Sequence, residues 1–357
     1  VQTEDYTGAG DLFDADYAYF SSFSDSWLKH CEQYVDVMVD RLGLSKSSHV
    51  VEVAANDGYL LQYFKTRQIP NLGVEPTAST AQAAREKGIE IEESFFGVSL
   101  AQRLAKNGKQ ADLTVANNVL AHVPDINDFV AGFSYLLKPN GVATFEFPHL
   151  LQLIEHAQFD TIYHEHFSYL SLTAVQRIFA QNGLEVFDVQ EIPTHGGSLR
   201  VFAQRADRGG QAVSDNVIEL LAREESKGLR TLAYYQGFQK RANKIKHDLL
   251  SFLLNAINDD KQLVAYGAAA KGNTLLNYSG IRQDLLGTVI DRNPAKQGKY
   301  LPGSKIPIME EQLIKSTQPD YVLILPWNLK NEVMNQLSYI REWGGKFVVA
   351  VPELEIA

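Results

Sequence analysis

Four short apolar runs, "HVVEVAA" (49–55), "NLGVEP" (71–76), "ADLTVANNV" (111–119) and "VATFEFP" (142–148), alternate with stretches of helical spacing. This alternation leaves few folds open. Strands that return through helices lie parallel, and the helices cover both faces of their sheet. "IEIEESFF" (89–96) adds another strand region. Helices are expected over "YLLQYFKTR", "TAQAAREKG" and "INDFVAGFSYLLKPNG", the last stopped by Pro139 and Gly141. "LTAVQRIFAQNG" (172–183) reads as a further helix, with Thr173 and Gln176 as a capping box. "LEVFDVQEIP" and "GSLRVFAQR" close the unit as an antiparallel pair.

Residues 17–42 read as a helical entry. Trp27, Leu28, Cys31, Tyr34, Val35 and Met38 form one apolar stripe, with Ser24 or Asp25 to cap it and Gly43 to end it. Residues 212–258 carry helix formers and few strand signals, with a break near Gly228. A second alternating series then starts at "KQLVAYGAAAKGNTLLNY" (261–278) and runs through "LLGTVIDRNPAKQG", "DYVLILPW" and "KFVVAVPELEI". The expected plan is a helical entry (1–45), an α/β unit (46–205), a helical connector (206–258) and a smaller α/β domain (259–357). Both α/β units are expected to be Rossmann-like, with doubly wound parallel sheets.

Apolar residues make up 45% of the 357 and charged residues 21%, the balance of an ordinary globular chain. No apolar run is long enough to span a membrane. The net charge of −10 disfavours a nucleic-acid partner. A single cysteine, Cys31, excludes internal disulfides and multi-cysteine zinc sites. The default setting is cytoplasmic, and no metal is expected. The sequence does not fix the oligomeric state.

"VVEVAANDG" is a strand ending near a carboxylate, then a small-residue turn and a helix. Ligands in such folds sit at the carboxyl ends of the strands. The dinucleotide pattern G-x-G-x-x-G is absent. The spacing of Glu52, Ala54, Asn56 and Gly58 instead matches the acidic-x-Gly-x-Gly-x-Gly turn of Rossmann-like methyltransferases, with two glycines replaced. Glu75, at the end of the next strand, suits a pair of ribose hydroxyls. "NNVLAHVPDINDF", opening with Asn117 and Asn118, and "LLKPNGVATFEFP" resemble the fourth and fifth strand regions of class I S-adenosylmethionine-dependent methyltransferases.

"TIYHEHFSYLS" (161–171) packs Tyr163, His164, Glu165 and His166 together in a chain with nine histidines. An extended segment puts Tyr163 and Glu165 on one side and the two histidines on the other, whereas a coiled one regroups them. Acid–base chemistry, a polar loop and metal chelation all fit those residue types. "THGGSLRVF" supplies His195, Gly196, Ser198 and Arg200 at a turn suited to a sugar. "AYGAAAKGN" places Tyr266 and Lys271 at a strand-to-helix turn suited to a pyrophosphate, and Trp327 follows the "YVLILP" strand.

Together, "YHEHFSYLS", "HGGSLRV", "YGAAAKGNTLLNY" and "DRNPAKQGKYLPGSKIPI" resemble the S-adenosylmethionine-dependent nucleotide-sugar C-methyltransferases of the tetronitrose C-3 type, over essentially the whole chain. That family opens with a small cysteine-rich zinc module, which is missing here, truncated or lost. The resemblance implies S-adenosylmethionine as cofactor and a nucleotide-linked 4-keto-deoxysugar as substrate, methylated at carbon through an enolate. It implies His166 as the base, Tyr163 and Glu165 as its neighbours, Tyr17 folding over the site and His122 at the end of the fourth strand. The alternatives are an O- or N-methyltransferase, or a nucleotide-binding oxidoreductase using the C-terminal domain.

Overall fold

A computed structural model describes residues 1–3 and 20–357. Tyr17 lies outside the described residues. The chain forms two compact units. The first comprises 1–150 and 164–227, and the second 151–163 and 228–357. The segment read as a connector is therefore divided at Gly228, and 151–163 joins the C-terminal unit.

The first unit is built on β1 (Val50–Val53), β2 (Asn71–Val74), β3 (Ile91–Glu92), β4 (Ala111–Asn117), β5 (Leu137–Pro148), β6 (Leu184–Ile192) and β7 (Ser198–Arg205). They form one seven-stranded sheet in the order β3-β2-β1-β4-β5-β7-β6. β1 to β5 pair in parallel, while β7 runs antiparallel to β5 and β6. The order reverses between β1 and β4, so the crevice for a ligand opens at their carboxyl ends.

The helices of this unit are α1 (Asp25–Leu42), α2 (Leu61–Thr66), α3 (Ala78–Glu86), α4 (Val98–Lys106) and α5 (Ile126–Leu136). α6 (Leu150–Glu155) begins as the chain passes to the second unit; α7 (Leu172–Gln181) and α8 (Asp215–Lys227) follow its return. Helix α5 stops at Leu136, short of the expected Pro139, because the backbone turns extended at Leu137 and enters β5. The capping box at Thr173 is not formed. Ser171 caps α7 instead, accepting from the Ala174 amide, and the Thr173 hydroxyl donates to Glu224 on α8.

Helix α1 sets the position of much that follows. The Ser24 hydroxyl caps it and Gly43 closes it in the left-handed conformation. Its buried stripe, Cys31, Tyr34, Val35 and Met38, packs against the sheet beside β5. Each fully buried apolar side chain of that stripe contributes about 1.5–3 kcal/mol. Four helical residues rise about 6 Å, and two strand residues about 6.6 Å. His30 and Tyr34 therefore meet Glu146 and Thr144 in step, at 3.0 Å and 2.6 Å.

The second unit has β8 (Leu263–Tyr266), β9 (Val289–Ile290), β10 (Ile308–Met309), β11 (Tyr321–Ile324), β12 (Lys346–Val349) and β13 (Glu355–Ile356), in the order β10-β9-β8-β11-β12-β13. All pair in parallel except β13. Its helices are α9 (Leu232–Tyr235), α10 (Phe238–Asn258), α11 (Ala270–Ser279), α12 (Gln312–Thr317) and α13 (Lys330–Gln336). The order reverses between β8 and β11. Ala157 and Phe159, from the inserted segment, belong to its apolar core with Leu275, Leu276 and Leu323.

Candidate active site

The turn after β1 lies at the carboxyl edge of the first sheet. Ala54, Asn56 and Gly58 have φ of 60°, 47° and 75°. All three glycine positions of the motif thus keep left-handed backbone, even where the glycine itself is replaced. At Gly58 a Cβ would fall 2.3 Å from Ile89 Cδ1, so a side chain there would have to displace the end of Ile89. Glu75 accepts the Asn56 amide at 2.9 Å and the Thr77 amide at 3.0 Å, which ties the end of β2 to the turn. Burial raises its carboxyl above the usual range against those bonds. The Ser21 amide donates to the Asn56 side chain at 2.9 Å, and Lys87 bonds both Ser22 and Asp57. Residues 21 and 22 are thereby fastened to the turn.

These residues suit a charged, hydroxyl-rich cofactor. Glu52 is fully buried, with the Tyr59 hydroxyl beside its carboxyl, and Oδ1 of Asn117 is buried with no hydrogen-bond partner among the described residues. Burial pushes the Glu52 carboxyl well above its ordinary range, with the Tyr59 hydroxyl acting in the opposite sense. A cationic ammonium is the kind of ligand that would return it to the carboxylate form.

Beyond β4 the chain makes a sharp turn at Asn118, whose φ is 52°, and a 3-10 turn over Leu120–His122. The Ala121 carbonyl accepts the Phe167 and Ser168 amides, and Thr3 pairs with Phe167 on the other side. These bonds hold the segment after the YHEH run. Residues 163–165 form a bend and turn, not a strand, so strand alternation does not group their side chains. His166 is 8% exposed, and its ring lies edge-on to His122 with centroids 4.7 Å apart. His164 is exposed and Glu165 half-buried. Burial raises the Glu165 carboxyl, opposed by His164.

The His122 ring is bonded to the Glu165 backbone carbonyl. Burial, with His166 and His195 nearby, lowers its pKa to about 3. His122 is thus neutral at pH 7 and anchors the turn that carries Glu165 and His166. Tyr163 ends the segment belonging to the second unit. Among the described residues no group of three or more His, Cys, Asp or Glu side chains is arranged for a metal ion.

The "THGGSLR" residues divide. His195 reaches Asn118, Nε2 to Nδ2 at 3.2 Å, and Gly196 lies in the same half-buried turn. Ser198 and Arg200 do not face a ligand. Ser198 is 1% exposed and donates to the Thr194 carbonyl. Arg200 is 5% exposed, with its guanidinium donating to Glu146 and Gln190. A strand arginine beside a glycine turn reads as substrate-facing, but here it neutralises a buried carboxylate 54 positions earlier.

In the second unit Lys271 stands at the β8–β11 switch point. Its ammonium donates to Asn328 at 3.0 Å and lies 4.7 Å from the Trp327 ring centroid. The indole donates to Asp160 at 2.7 Å. Burial lowers Lys271 to about 8, opposed by Asp160. Burial raises Asp160 to about 6, opposed by Lys271. Tyr266 points the other way, into the opposite core, where Gln336 donates to its hydroxyl. It is a core tyrosine, not a ligand-facing one.

Sequence reasoning did not single out Trp27, His30, Glu146 or Asp160. Glu146 had a legible signal as the lone carboxylate of the apolar run "VATFEFP". Asp160 had none, since its partners lie more than 100 residues away.

A methyltransferase domain family matches residues 27–189, and a C-methyltransferase C-terminal domain family matches residues 193–352. The C-methyltransferase NovU of Streptomyces niveus is 35% identical over 343 residues, covering 96% of this chain and 81% of that protein. Among solved structures, magnesium protoporphyrin IX methyltransferase of Synechocystis PCC 6803, with bound S-adenosylmethionine, is 15% identical with a TM-score of 0.37. It covers 51% of this chain and 82% of that one. An S-adenosylmethionine-dependent methyltransferase of Clostridium acetobutylicum ATCC 824 is 11% identical with a TM-score of 0.40, over 53% and 94%. The two domain matches and the near-full-length relative place this chain in the C-methyltransferase family, enzymes whose methyl donor is S-adenosylmethionine.

Proposed function

We propose that this C-methyltransferase acts on a nucleotide-linked 4-keto-deoxysugar, at the carbon beside the ketone, C-3. The observation that carries the reading is the meeting of His122, His166 and His195 at the carboxyl edge of the cofactor-type sheet. Methylation at carbon needs a carbon nucleophile, and a C–H beside a ketone becomes one by losing its proton. Bound S-adenosylmethionine supplies the electrophilic methyl group. His166 takes the proton from C-3. A histidine of ordinary pKa ~6.5 is a weak base for such a C–H, so the developing enolate oxygen needs a donor. An N–H of His195 is suited to that task. Glu165, next to His166 in the chain, belongs to the same acid–base set. Burial of His166 keeps water from competing for the carbanion.

The second unit contributes binding of the nucleotide handle. The start of α11 offers backbone amides, and Lys271 a cation held beside Trp327. Energy from a remote handle lets the enzyme hold the reacting carbon in line with the methyl. No helix among the described residues is long and apolar enough to cross a membrane, and we assign the enzyme to the cytoplasm.

The test uses deuterium oxide and a panel of nucleoside diphosphate 4-keto-deoxysugars, read by mass spectrometry. The wild type exchanges the proton at C-3 and methylates that carbon. His166→Asn loses both activities by about 10²-fold or more, with S-adenosylmethionine affinity unchanged by calorimetry. Methylation at oxygen or nitrogen, or exchange that survives in His166→Asn, would sink the mechanism. Lys271→Ala weakens binding of the sugar nucleotide and spares the cofactor. Equal loss for nucleotide-free sugar would remove Lys271 from this role.

A further inference from the structure

Asn118 and His195 are both non-glycine residues in left-handed backbone, with φ of 52° and 54°. Such conformations are held only where the surroundings over-determine them. The two residues are bonded to each other, and the groups around them lead back to one residue outside the reacting cluster. Glu146 Oε1 accepts the hydroxyl of Thr194, the residue before His195, at 2.9 Å. The Glu146 carbonyl accepts the Asn118 amide at 2.7 Å. Glu146 Oε2 meets His30 at 3.0 Å, and His30 stacks on Trp27 with ring centroids 5.0 Å apart. Trp27 in turn packs on the His195 ring at 5.5 Å. Two routes therefore run from the Glu146 carboxylate to His195, through the preceding residue and through the ring beside it, and the Glu146 backbone adds a third through Asn118.

Burial alone would raise the Glu146 carboxyl. The bond from His30 and the charge of Arg200 outweigh it and hold the group below its usual range. Its side chain is fully buried.

We propose that Glu146 is a positioning residue for methyl transfer, fixing His195 in place and in one neutral tautomer. An amide nitrogen only donates, so the Asn118 bond makes His195 Nε2 an acceptor and leaves the ring proton on Nδ1. The inference rests on the reading that His195 serves the reaction, and the test separates the two.

The enzyme is labelled with ¹⁵N-histidine, and the His195 ring signals are assigned by their absence in His195→Gln. Long-range ¹H–¹⁵N spectra of the wild type are expected to show the Nδ1–H tautomer at neutral pH. Thr194→Val removes one route without touching the Glu146–Arg200 pair. It is expected to give a mixture of tautomers and to lower kcat about tenfold, part of the 10²–10⁴-fold typical of acid–base groups, with KM for S-adenosylmethionine unchanged. Thr194→Ser restores both spectrum and rate. Glu146→Gln gives the larger loss of the two. An Nε2–H tautomer in the wild type overturns the proposal, as does a Thr194→Val enzyme with unaltered spectrum and rate. A His195→Gln enzyme with full activity overturns it together with the reading beneath it.

Discussion

Glu75 does two jobs at one position, which sets what its removal should cost. Its two oxygens accept the Asn56 and Thr77 amides, and lone pairs remain for ribose hydroxyls. Glu75→Ala should weaken S-adenosylmethionine binding by about 1–3 kcal/mol, the scale of hydrogen bonds to a charged group. Calorimetry giving wild-type affinity would take Glu75 out of the cofactor site. Spacing alone picked out positions 52, 54, 56, 58 and 75, because the motif fixes a turn within one short stretch. The left-handed backbone at Ala54 was not legible, since alanine carries no mark of it. Arg200 and Tyr266 were misread for another reason. A polar group on a strand reads as a site residue until its partner is known, and Glu146 and Gln336 lie far off in sequence.

Elements are joined here by side chains reaching between helices and strands. Glu224 on α8 is the clearest case. Its carboxylate accepts the Leu172 and Thr173 amides and the Thr173 hydroxyl at the start of α7, and meets His149 Nε2 at 2.7 Å. It supplies α7 with an N-terminal anion, the charge that helix end favours. Burial works to raise this carboxyl, but the bonds from His149 and Thr173 outweigh it and hold it below the usual range. The unfolded chain therefore takes up this proton more readily than the folded one. The stability the group contributes is in place above an unfolded value near ~4.3. It is lost as pH falls through the lower folded value. Glu224→Gln should lower stability to urea by about 1–3 kcal/mol at pH 7, with the gap to wild type closing in acid. A gap independent of pH would show that packing, not charge, is at stake. The pattern in 172–183 announced the helix, but its cap could not be read there, because the group serving it lies 51 positions downstream at Glu224.

At the scale of the molecule, two alternating series in the sequence announced two α/β units, since hydrophobic period is a local property. Their boundaries were less legible. Whether 151–163 belongs with the strands before it or those after it depends on where Ala157 and Phe159 are buried. Phe159 is 6% exposed and packs on Tyr278 at 4.8 Å. Phe159→Ala should destabilise the second unit by about 3–5 kcal/mol, though it lies within the sequence span of the first. Hydrogen exchange resolved by mass spectrometry should show faster exchange in β8, β11 and α11 and little change in β1 and β4. Loss of protection in the first unit instead would overturn this assignment. The same interrupted order has a meaning during synthesis. The ribosome delivers Ala157 and Phe159 well before β8 and β11, which complete their core. At ~5–20 residues per second, these apolar side chains wait several seconds for their partners, so the nascent chain is most exposed to aggregation just after its cofactor half has been made.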